Sequence, residues 1–247
     1  MAPMIVLFSD FGLEGPYTGQ VKTVLYQTAP TVPVIDLFAD APAGKPKPAA
    51  YLLAAYAVWF PPGTVILAVV DPGVGGTRGA VVVEADGRWY VGPDNGLFEL
   101  VQRRALAVRS WDILWRPGAM SASFHGRDLF APIAGQLARG IFPSEPQRSD
   151  EIGRCADWPD DLAEIVYIDR YGNAMTGLRA AVLADKTYLR VSGRVLPRAR
   201  TFSDVPAGTA FWYENSNGLA EIAVNAGRAD AALGLALGTP VGISGTV

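Results

Sequence analysis

One apolar run, Val65 to Val70, constrains the fold of this chain more than any other stretch. The turn sequence Pro61-Pro62-Gly63 precedes it, and Asp71-Pro72-Gly73 follows it. A short continuous apolar run between two turn sequences is typical of a strand buried on both faces, as in parallel sheets. Parallel strands need crossover connections, so the run predicts an α/β domain.

The segments around this run alternate between strand and helix patterns. The pattern predicts strands at Ile5–Phe8 and Val32–Phe38, and helices at Tyr17–Ala29 and Ala49–Phe60, which Pro30 and Pro61 terminate. Right-handed crossovers then give a mainly parallel sheet. Further along, the sequence predicts a hairpin around Asp86-Gly87, a short strand at Leu106–Val108 and a helix at Asp128–Arg139 that Gly140 ends.

The chain changes character after residue 140. Between Ile141 and Asp161, prolines are interspersed with acids and arginines, which predicts a boundary between a domain of residues 1–150 and one of residues 160–247. Beyond the boundary, short apolar runs alternate with turn sequences. This spacing predicts a small antiparallel barrel or sandwich. The runs are Glu164–Ile168, Thr187–Val191, Arg194–Leu196, Ala210–Tyr213 and Ala220–Val224.

Composition excludes several classes of protein. The 247 residues are 50% hydrophobic with a net charge of −3 and no run of Lys or Arg, which argues against nucleic-acid binding. The longest apolar segment, Ala49–Phe60, is too short to span a membrane. Cys155 is the single cysteine and the first residues lack a signal-peptide pattern, so we expect no internal disulfide and a cytoplasmic location.

Two acids stand where strands end, Asp10 after Ile5–Phe8 and Asp71 after Val65–Val70. Open α/β sheets bind ligands at the carboxyl ends of their strands, which makes both acids candidate site residues. A capped turn with a rigid proline explains Asp71 equally well. The glycines at 73, 75 and 76 do not form a dinucleotide-binding motif, because Arg78 occupies the position of its third glycine.

His125 is the only histidine of the chain, and it precedes the helix predicted at Asp128. A helix entrance disfavours the imidazolium, so a neutral His125 there is suited to orient water or to accept a proton. A structural histidine is the alternative. Arg127 and Asp128 form either a local ion pair or a helix cap. No group of residues has the spacing of metal ligands, and no nucleophile elbow occurs.

Polar residues also cluster in the second half. Asp169, Tyr171 and Asn173 combine an acid, an aromatic ring and an amide, a set that can hold an ammonium, stack on a flat ring and pair with a base edge. Asn215 and Ser216 begin a hairpin that continues through Glu221 to Val224. Either segment is also explained as an ordinary hydrogen-bonded turn or hairpin.

Six segments, taken in order, resemble the S-adenosylmethionine (SAM) hydroxide adenosyltransferases, or SAM hydrolases (adenosine-forming), which are relatives of the fluorinase and chlorinase. The resemblance spans nearly the whole chain. The segments are Ser9-Asp10-Phe11-Gly12, Val70 to Gly75 with Arg78, Pro93-Asp94-Asn95-Gly96, Phe124-His125-Gly126-Arg127-Asp128, Asp169 with Gly172-Asn173, and Asn215-Ser216 with Glu221-Ile222-Ala223.

This resemblance implies a fold and a set of site residues. The fold is an N-terminal α/β domain with a smaller C-terminal antiparallel β-barrel, in a homotrimer whose sites lie between one subunit's first domain and its neighbour's second. The implied catalytic set is Asp71, Arg78 and His125. The implied substrate contacts are Asp10 for the ribose, Asp169 near the methionine ammonium, Asn173 and Tyr171 at adenine, and Asn215, Ser216, Glu221 and the Val224 backbone.

The implied reaction is hydrolysis of SAM to adenosine and L-methionine, with SAM as substrate and no cofactor or metal. Two alternatives are a halogenase that forms 5′-halo-adenosine and a non-catalytic SAM or adenosine sensor. The halogenating relatives lack the Asp/Arg/His set, which favours hydrolysis. The chain departs from the family pattern at Phe38-Ala39 and in the proline-rich loop Ala41–Pro48, so this loop near the substrate is not predicted.

Overall fold

The computed structural model describes residues 3–142, 147–148 and 154–245. The chain divides into two compact units, Met1–Cys155 and Ala156–Val247. The boundary segment expected at residues 141–161 lies partly outside the described residues. No helix in the described part of the chain is long and apolar enough to cross a membrane.

The first unit is built on one mixed sheet with helices packed against it. The strands follow the sheet order β2-β1-β3-β5-β4-β6-β7. They are β1 (Ile5–Ser9), β2 (Val34–Phe38), β3 (Val65–Val69), β4 (Ala80–Ala85), β5 (Arg88–Pro93), β6 (Val108–Asp112) and β7 (Gln147–Arg148). The helices are α1 (Tyr17–Thr28), α2 (Pro46–Ala57), α3 (Glu99–Arg104) and α4 (Ala131–Ala138), and a π-helical turn at Gly126–Phe130 leads into α4.

The expected mainly parallel sheet is confirmed around β1. This strand pairs in parallel with β2 and β3, and β3 pairs in parallel with β5. β4 lies antiparallel between β5 and β6. The β4–β5 hairpin turns at Asp86 and Gly87, both with positive φ, as the Asp-Gly sequence predicts.

Helix α2 differs from its prediction at both ends. It begins at Pro46 rather than Ala49 and ends at Ala57 rather than Phe60. Prolines are tolerated in the first turn of a helix because the N–H groups there have no intrahelical partner. Helix α3 was not predicted, because its six residues are too few to show a helical period. The strand expected at Leu106–Val108 lies instead at Val108–Asp112.

The second unit contains two antiparallel sheets, with strand orders β12-β13-β9-β8 and β11-β10-β14. The strands are β8 (Leu162–Ile168), β9 (Ala174–Arg179), β10 (Tyr188–Val191), β11 (Arg194–Leu196), β12 (Ala210–Glu214), β13 (Leu219–Val224) and β14 (Gly242–Ser244), with a short helix α5 (Ala229–Leu233). β9 and β14 were not among the predicted strands.

The predicted barrel is corrected to two open sheets, because the described residues of the second unit form no closed barrel. The two sheets meet at two isolated bridges. One joins Arg198, just after β11, to Trp212 of β12, and the other joins Glu164 of β8 to Pro240, just before β14. Backbone hydrogen bonds flank the second bridge on both sides, from the Ile165 N–H to the Thr239 carbonyl and from the Val241 N–H to the Ala163 carbonyl. Each junction is an isolated bridge rather than a continuous ladder.

The sheet of the first unit brings two strand ends together. β1 and β3 are buried along their whole length, and their registers place Ser9 beside Val69. The Asp10 N–H continues this pairing by donating to the Val69 carbonyl at 3.3 Å. The residues that follow the two strands, Asp10 and Asp71, therefore share one edge of the sheet.

Candidate active site

Asp71, Arg78 and His125 form one hydrogen-bonded cluster in the first unit. Arg78 Nε donates to Asp71 Oδ1 at 2.9 Å and to Oδ2 at 3.1 Å, and Arg78 Nη2 donates to Oδ2 as well. The same Nη2 contacts His125 Nδ1 at 2.9 Å. The side chains of Asp71 and Arg78 are 5% and 12% exposed. The three residues that the sequence singled out are thus brought together in a largely buried position.

The contact with Arg78 fixes the state of the His125 ring. A guanidinium is always a donor, so His125 Nδ1 must accept, and a neutral ring then carries its proton on Nε2. Burial, followed by the positive charge of Arg78, lowers the pKa of His125 below its ordinary value of 6.5. At neutral pH, His125 is therefore a neutral imidazole that donates through Nε2.

Two loops hold the cluster in place. The loop after β3 packs against the segment before His125 so closely that a Cβ at Gly75, where φ is +79°, would lie 2.5 Å from the Ala122 carbonyl oxygen. Asn95 Nδ2 donates to the Val70 carbonyl at 2.9 Å and fixes the start of this loop. The Arg78 guanidinium also lies over the Phe130 ring, 5.1 Å from its centroid.

Asp10 lies beside this cluster and is held by the loop that the sequence left unpredicted. The Gly44 N–H donates to Asp10 Oδ2 at 2.8 Å. Two backbone bonds keep the loop against the end of β1, from the Gly12 N–H to the Ala39 carbonyl and from the Ala41 N–H to the Ser9 carbonyl. Burial raises the pKa of Asp10, and the bond from Gly44 opposes this shift.

A small pocket of about 70 Å³ opens between Asp10, Asp71 and His125, with Phe11, Val74 and Phe124 among its walls. We call it the inner pocket. Arg78 is not among its lining residues, so the charge of Arg78 acts from behind Asp71 and His125. The volume suffices for a few water molecules but not for a nucleoside.

A wider cleft of about 490 Å³ adjoins the inner pocket and shares Asp10, Phe11, Ser123 and Phe124 with it. We call it the outer cleft. Its aromatic wall consists of Phe11, Tyr17 and Phe124, whose ring centroids lie 5.4 to 6.3 Å apart. At its rim, Arg127 pairs with Asp128 at 2.6 Å, which confirms the predicted local ion pair.

A separate cleft of about 500 Å³ lies within the second unit and gathers four of the predicted binding residues, Asp169, Tyr171, Asn173 and Val224. The Asn173 main-chain N–H donates to Asp169 Oδ1 at 2.9 Å, and Asn173 Nδ2 donates to Asp169 Oδ2 at 3.2 Å. The Asn173 side-chain oxygen is then the atom suited to accept a hydrogen bond from a ligand. Tyr171 is 76% exposed.

Glu221 lies beneath this cleft rather than in it. Its Oε1 accepts from the Tyr213 hydroxyl at 2.6 Å and its Oε2 from Asn215 Nδ2 at 2.8 Å. Burial raises the pKa of Glu221, and these two hydrogen bonds oppose the shift. Ser216 is exposed on the turn next to Asn215, where its Oγ accepts from Asn217 Nδ2 at 3.2 Å.

Sequence reasoning missed two aromatic residues of this cleft, Phe202 and Tyr213. Phe202 follows Thr201 in a short turn with a capping box between Thr201 and Asp204. The Thr-x-x-Asp pattern could have predicted this turn. Tyr213 lies inside a predicted strand, and no local pattern distinguishes it from an ordinary strand residue.

Among the residues that the structure describes, no group of three His, Cys, Asp or Glu side chains is arranged to hold a metal ion. The site residues predicted from the sequence lie in two sets, one in the first unit and one in the second.

Comparison with protein families identifies both units. Residues 5–146 match the SAM hydroxide adenosyltransferase N-terminal domain, and residues 163–242 match the C-terminal domain of the same family. The chain belongs to the SAM hydroxide adenosyltransferase family. The resemblance predicted from the six sequence segments is thereby confirmed.

The chain is similar to proteins named as hydrolases and, at lower identity, to fluorinases. It is 44% identical to (R)-S-adenosyl-L-methionine hydrolase of Thermus thermophilus, over 98% of this chain and 99% of that protein. Identity to (R)-S-adenosyl-L-methionine hydrolase of Salinispora arenicola is 38%, with 92% of each chain covered. Identity to the fluorinase of Nocardia brasiliensis is 25%, with 91% of each chain covered.

A solved structure is similar to this chain over nearly its whole length. The crystal structure of an uncharacterized conserved protein from Thermotoga maritima matches with a TM-score of 0.88 at 29% identity, covering 98% of this chain and 100% of that one. The two-unit architecture is therefore shared along the full chain.

Proposed function

We propose that this protein hydrolyses S-adenosyl-L-methionine to adenosine and L-methionine, by attack of an activated water at the ribose 5′ carbon. The observation that carries the proposal is the Asp71–Arg78–His125 cluster at the inner pocket. The greater identity to the hydrolases than to the fluorinase supports it.

The substrate itself supplies the leaving group. The sulfonium makes methionine a neutral leaving group, so no general acid is needed when the carbon–sulfur bond breaks and sulfur keeps the electron pair. The reaction needs an oxygen nucleophile with the character of a hydroxide ion. Forming hydroxide in bulk water is costly, because the pKa of water is about 15.7. Positive charge and hydrogen-bond donors near the pocket stabilise it.

The cluster divides this task among its three residues. Asp71 holds the guanidinium of Arg78 in place, and Arg78 donates a hydrogen bond to His125 Nδ1. The N–H at His125 Nε2 then remains to donate to the water oxygen. His125 therefore orients and stabilises the nucleophile rather than removing its proton, which passes to solvent before attack. The oxygen–carbon bond forms as the carbon–sulfur bond breaks, and the opposite charges of hydroxide and sulfonium cancel.

Four of the remaining candidate residues, Asp10, Asp169, Tyr171 and Asn173, bind the substrate in this proposal. Asp10 accepts hydrogen bonds from the two ribose hydroxyls, a role for which a carboxylate with two oxygens is suited. In the second unit, the Asn173 side-chain oxygen accepts from the adenine amino group, while Tyr171 lies beside the base and Asp169 near the methionine ammonium. The sulfonium chemistry requires no cofactor, so we expect a chelator to leave turnover unchanged.

We further propose a homotrimer in which each site combines the first unit of one subunit with the second unit of its neighbour. The family resemblance supports this arrangement. The division of the candidate residues between two units is compatible with it.

The decisive experiment incubates the purified protein with SAM in halide-free buffer, then with chloride or fluoride added, and separates the nucleosides by chromatography. We expect adenosine and methionine in every buffer, and none from the His125→Ala variant. A 5′-halo-adenosine product would establish the halogenase instead. Binding of SAM without turnover by the wild type would establish the sensor.

A further inference from the structure

The position of Glu221 differs from what the sequence resemblance implies. The side chain is buried, with the residue 2% exposed, and each of its two oxygens accepts a hydrogen bond from a neighbouring side chain. A carboxylate that is buried and bonded at both oxygens is not placed to contact a ligand. Its function must be exerted through the two partners, Tyr213 and Asn215.

The first partner belongs to the wall of the second-unit cleft. The Tyr213 ring lies 5.3 Å from the Phe202 ring, tilted by 62°, and both residues line the cleft. The Tyr213 hydroxyl oxygen lies on the axis about which the ring flips, so its 2.6 Å bond to Glu221 restrains the swing of the whole side chain about Cα–Cβ. Glu221 thereby fixes the position of one aromatic ring beside which a flat ligand ring would lie.

The second partner controls the turn that carries Ser216. The Asn215 side-chain oxygen accepts from the Asn217 N–H at 2.9 Å and from the Leu219 N–H at 3.0 Å, which closes the turn. Asn215 Nδ2 donates to Glu221 and so keeps this oxygen directed at the turn. One buried carboxylate thus holds both the aromatic wall and the neighbouring turn.

We propose that Glu221 is a positioning residue that sets the affinity for the adenine-bearing substrate by holding Tyr213 and Asn215, without touching the ligand. The identity of the ligand rests on the proposed function. The carboxylate accepts at both oxygens, and its charge strengthens both bonds. A glutamine can accept from Asn215 through its oxygen, but its amide then faces the Tyr213 hydroxyl, which must turn from donor to acceptor, and the charge is lost from both bonds.

The test measures the variants Glu221→Gln and Tyr213→Phe and the double variant. Calorimetry gives Kd for adenosine, and steady-state kinetics with SAM gives kcat and KM. We expect Glu221→Gln to raise Kd and KM about tenfold, which corresponds to the loss of the charge from these two hydrogen bonds. We expect kcat to stay within about twofold, because the Asp71–His125 cluster has its own hydrogen bonds in the other unit.

Coupling between the two residues separates positioning from a general loss of structure. If Glu221 acts through Tyr213, the effect of Glu221→Gln on Kd is smaller in the Tyr213→Phe background than in the wild type. Strictly additive effects, an unchanged Kd, or a fall in kcat with unchanged KM would each overturn the proposal. If Glu221→Gln does not fold, Tyr213→Phe alone decides, with a raised Kd at unchanged Tm in favour and an unchanged Kd against.

Glu214→Gln provides the matched control. Glu214 precedes Asn215 at the end of β12, but its side chain is 49% exposed and is paired with Arg198 at 3.3 Å. We expect the Kd for adenosine and the KM for SAM of Glu214→Gln to equal those of the wild type. Wild-type protein that neither binds adenosine nor hydrolyses SAM would refute the proposed function, whereas an active wild type with an equally active Glu221→Gln variant would refute only the role of Glu221.

Discussion

Among the residues of the site, Arg78 has the most contacts that bear on the chemistry. Its guanidinium bonds to Asp71, to His125 Nδ1 and, at 3.1 Å, to the Gly79 carbonyl, and it lies over the Phe130 ring. These contacts hold one positive charge rigidly behind the inner pocket. A fixed charge in a partly buried position stabilises a developing anion without the cost of reorganising solvent.

We expect Arg78→Gln to lower kcat by about a hundredfold or more, with a smaller change in KM, because it removes this charge and the donor to His125. Arg109→Gln is the matched control, since Arg109 also pairs with a carboxylate, Glu84, and lies 5.8 Å from an aromatic centroid, but is 58% exposed. Steady-state kinetics of the two variants makes the comparison. Equal kcat values would contradict the role given to Arg78.

The protonation state of His125 can be measured directly, because the chain has one histidine. We expect NMR of the imidazole nitrogens to show a proton on Nε2 and none on Nδ1 at neutral pH, with a pKa below 6.5. Arg78→Gln should raise this pKa, because it removes a positive charge and a donor that excludes a proton from Nδ1. A proton on Nδ1 in the wild type would exclude the proposed arrangement.

Single residues differed in how far the sequence could predict them. Asp10 and Asp71 were predictable because each follows a buried strand, and the sheet register then brings them to one edge. Tyr213 and the buried position of Glu221 were not predictable. Both depend on which residues meet across the β12–β13 pair, and that information is contained in the register and not in any local pattern.

At the level of elements, the site depends on the close approach of two loops. The glycine-rich loop that joins Asp71 to Arg78 packs against the segment before His125, and a Cβ at Gly75 would lie 2.5 Å from the Ala122 carbonyl oxygen. The backbone at Gly75 has φ +79° and leaves no room for a Cβ. The glycine at 75 is thus required for the cluster geometry, and not only for the turn.

Gly75→Ala should lower kcat by at least about tenfold, because the Cβ pushes the His125 segment away from Arg78. Gly140→Ala is the control: its φ is +75°, yet its Cβ would meet nothing within 4 Å. Both variants should lose about 1 to 2 kcal/mol of folding free energy from the left-handed backbone. Thermal unfolding and kinetics separate the two effects, and similar kcat values in both variants would contradict the steric explanation.

The elements themselves were predicted best where the pattern was strong. The buried parallel strands β1 and β3 and the hairpin at Asp86-Gly87 follow directly from apolar runs and turn residues. The closed barrel was wrong, because strand patterns do not specify whether the first and last strands of a sheet meet. The two sheets of the second unit meet in isolated bridges, Arg198 with Trp212 and Glu164 with Pro240, which no strand pattern predicts.

In the molecule as a whole, the candidate residues are divided between two units. The Asp71–Arg78–His125 cluster and Asp10 belong to Met1–Cys155, whereas Asp169, Tyr171 and Asn173 belong to Ala156–Val247. In the proposed function, the first set holds the ribose and activates the water, and the second set holds adenine and the methionine ammonium, so turnover needs both sets. In the proposed trimer, one chain can carry a damaged first unit and another chain a damaged second unit. Some sites then still combine two intact units.

Complementation between two inactive variants tests this arrangement. His125→Ala damages the first unit and Asn173→Ala the second, and at a SAM concentration far below the wild-type KM each variant alone should have little activity. In every trimer that contains both variants, one site of the three combines an intact first unit with an intact second unit from a neighbour, so activity should return to about a third of the wild-type value. The mixed trimers are obtained by co-expression with two different tags. If each site were formed within one chain, every site would carry one of the two substitutions, and the purified mixture would remain as inactive as its parents.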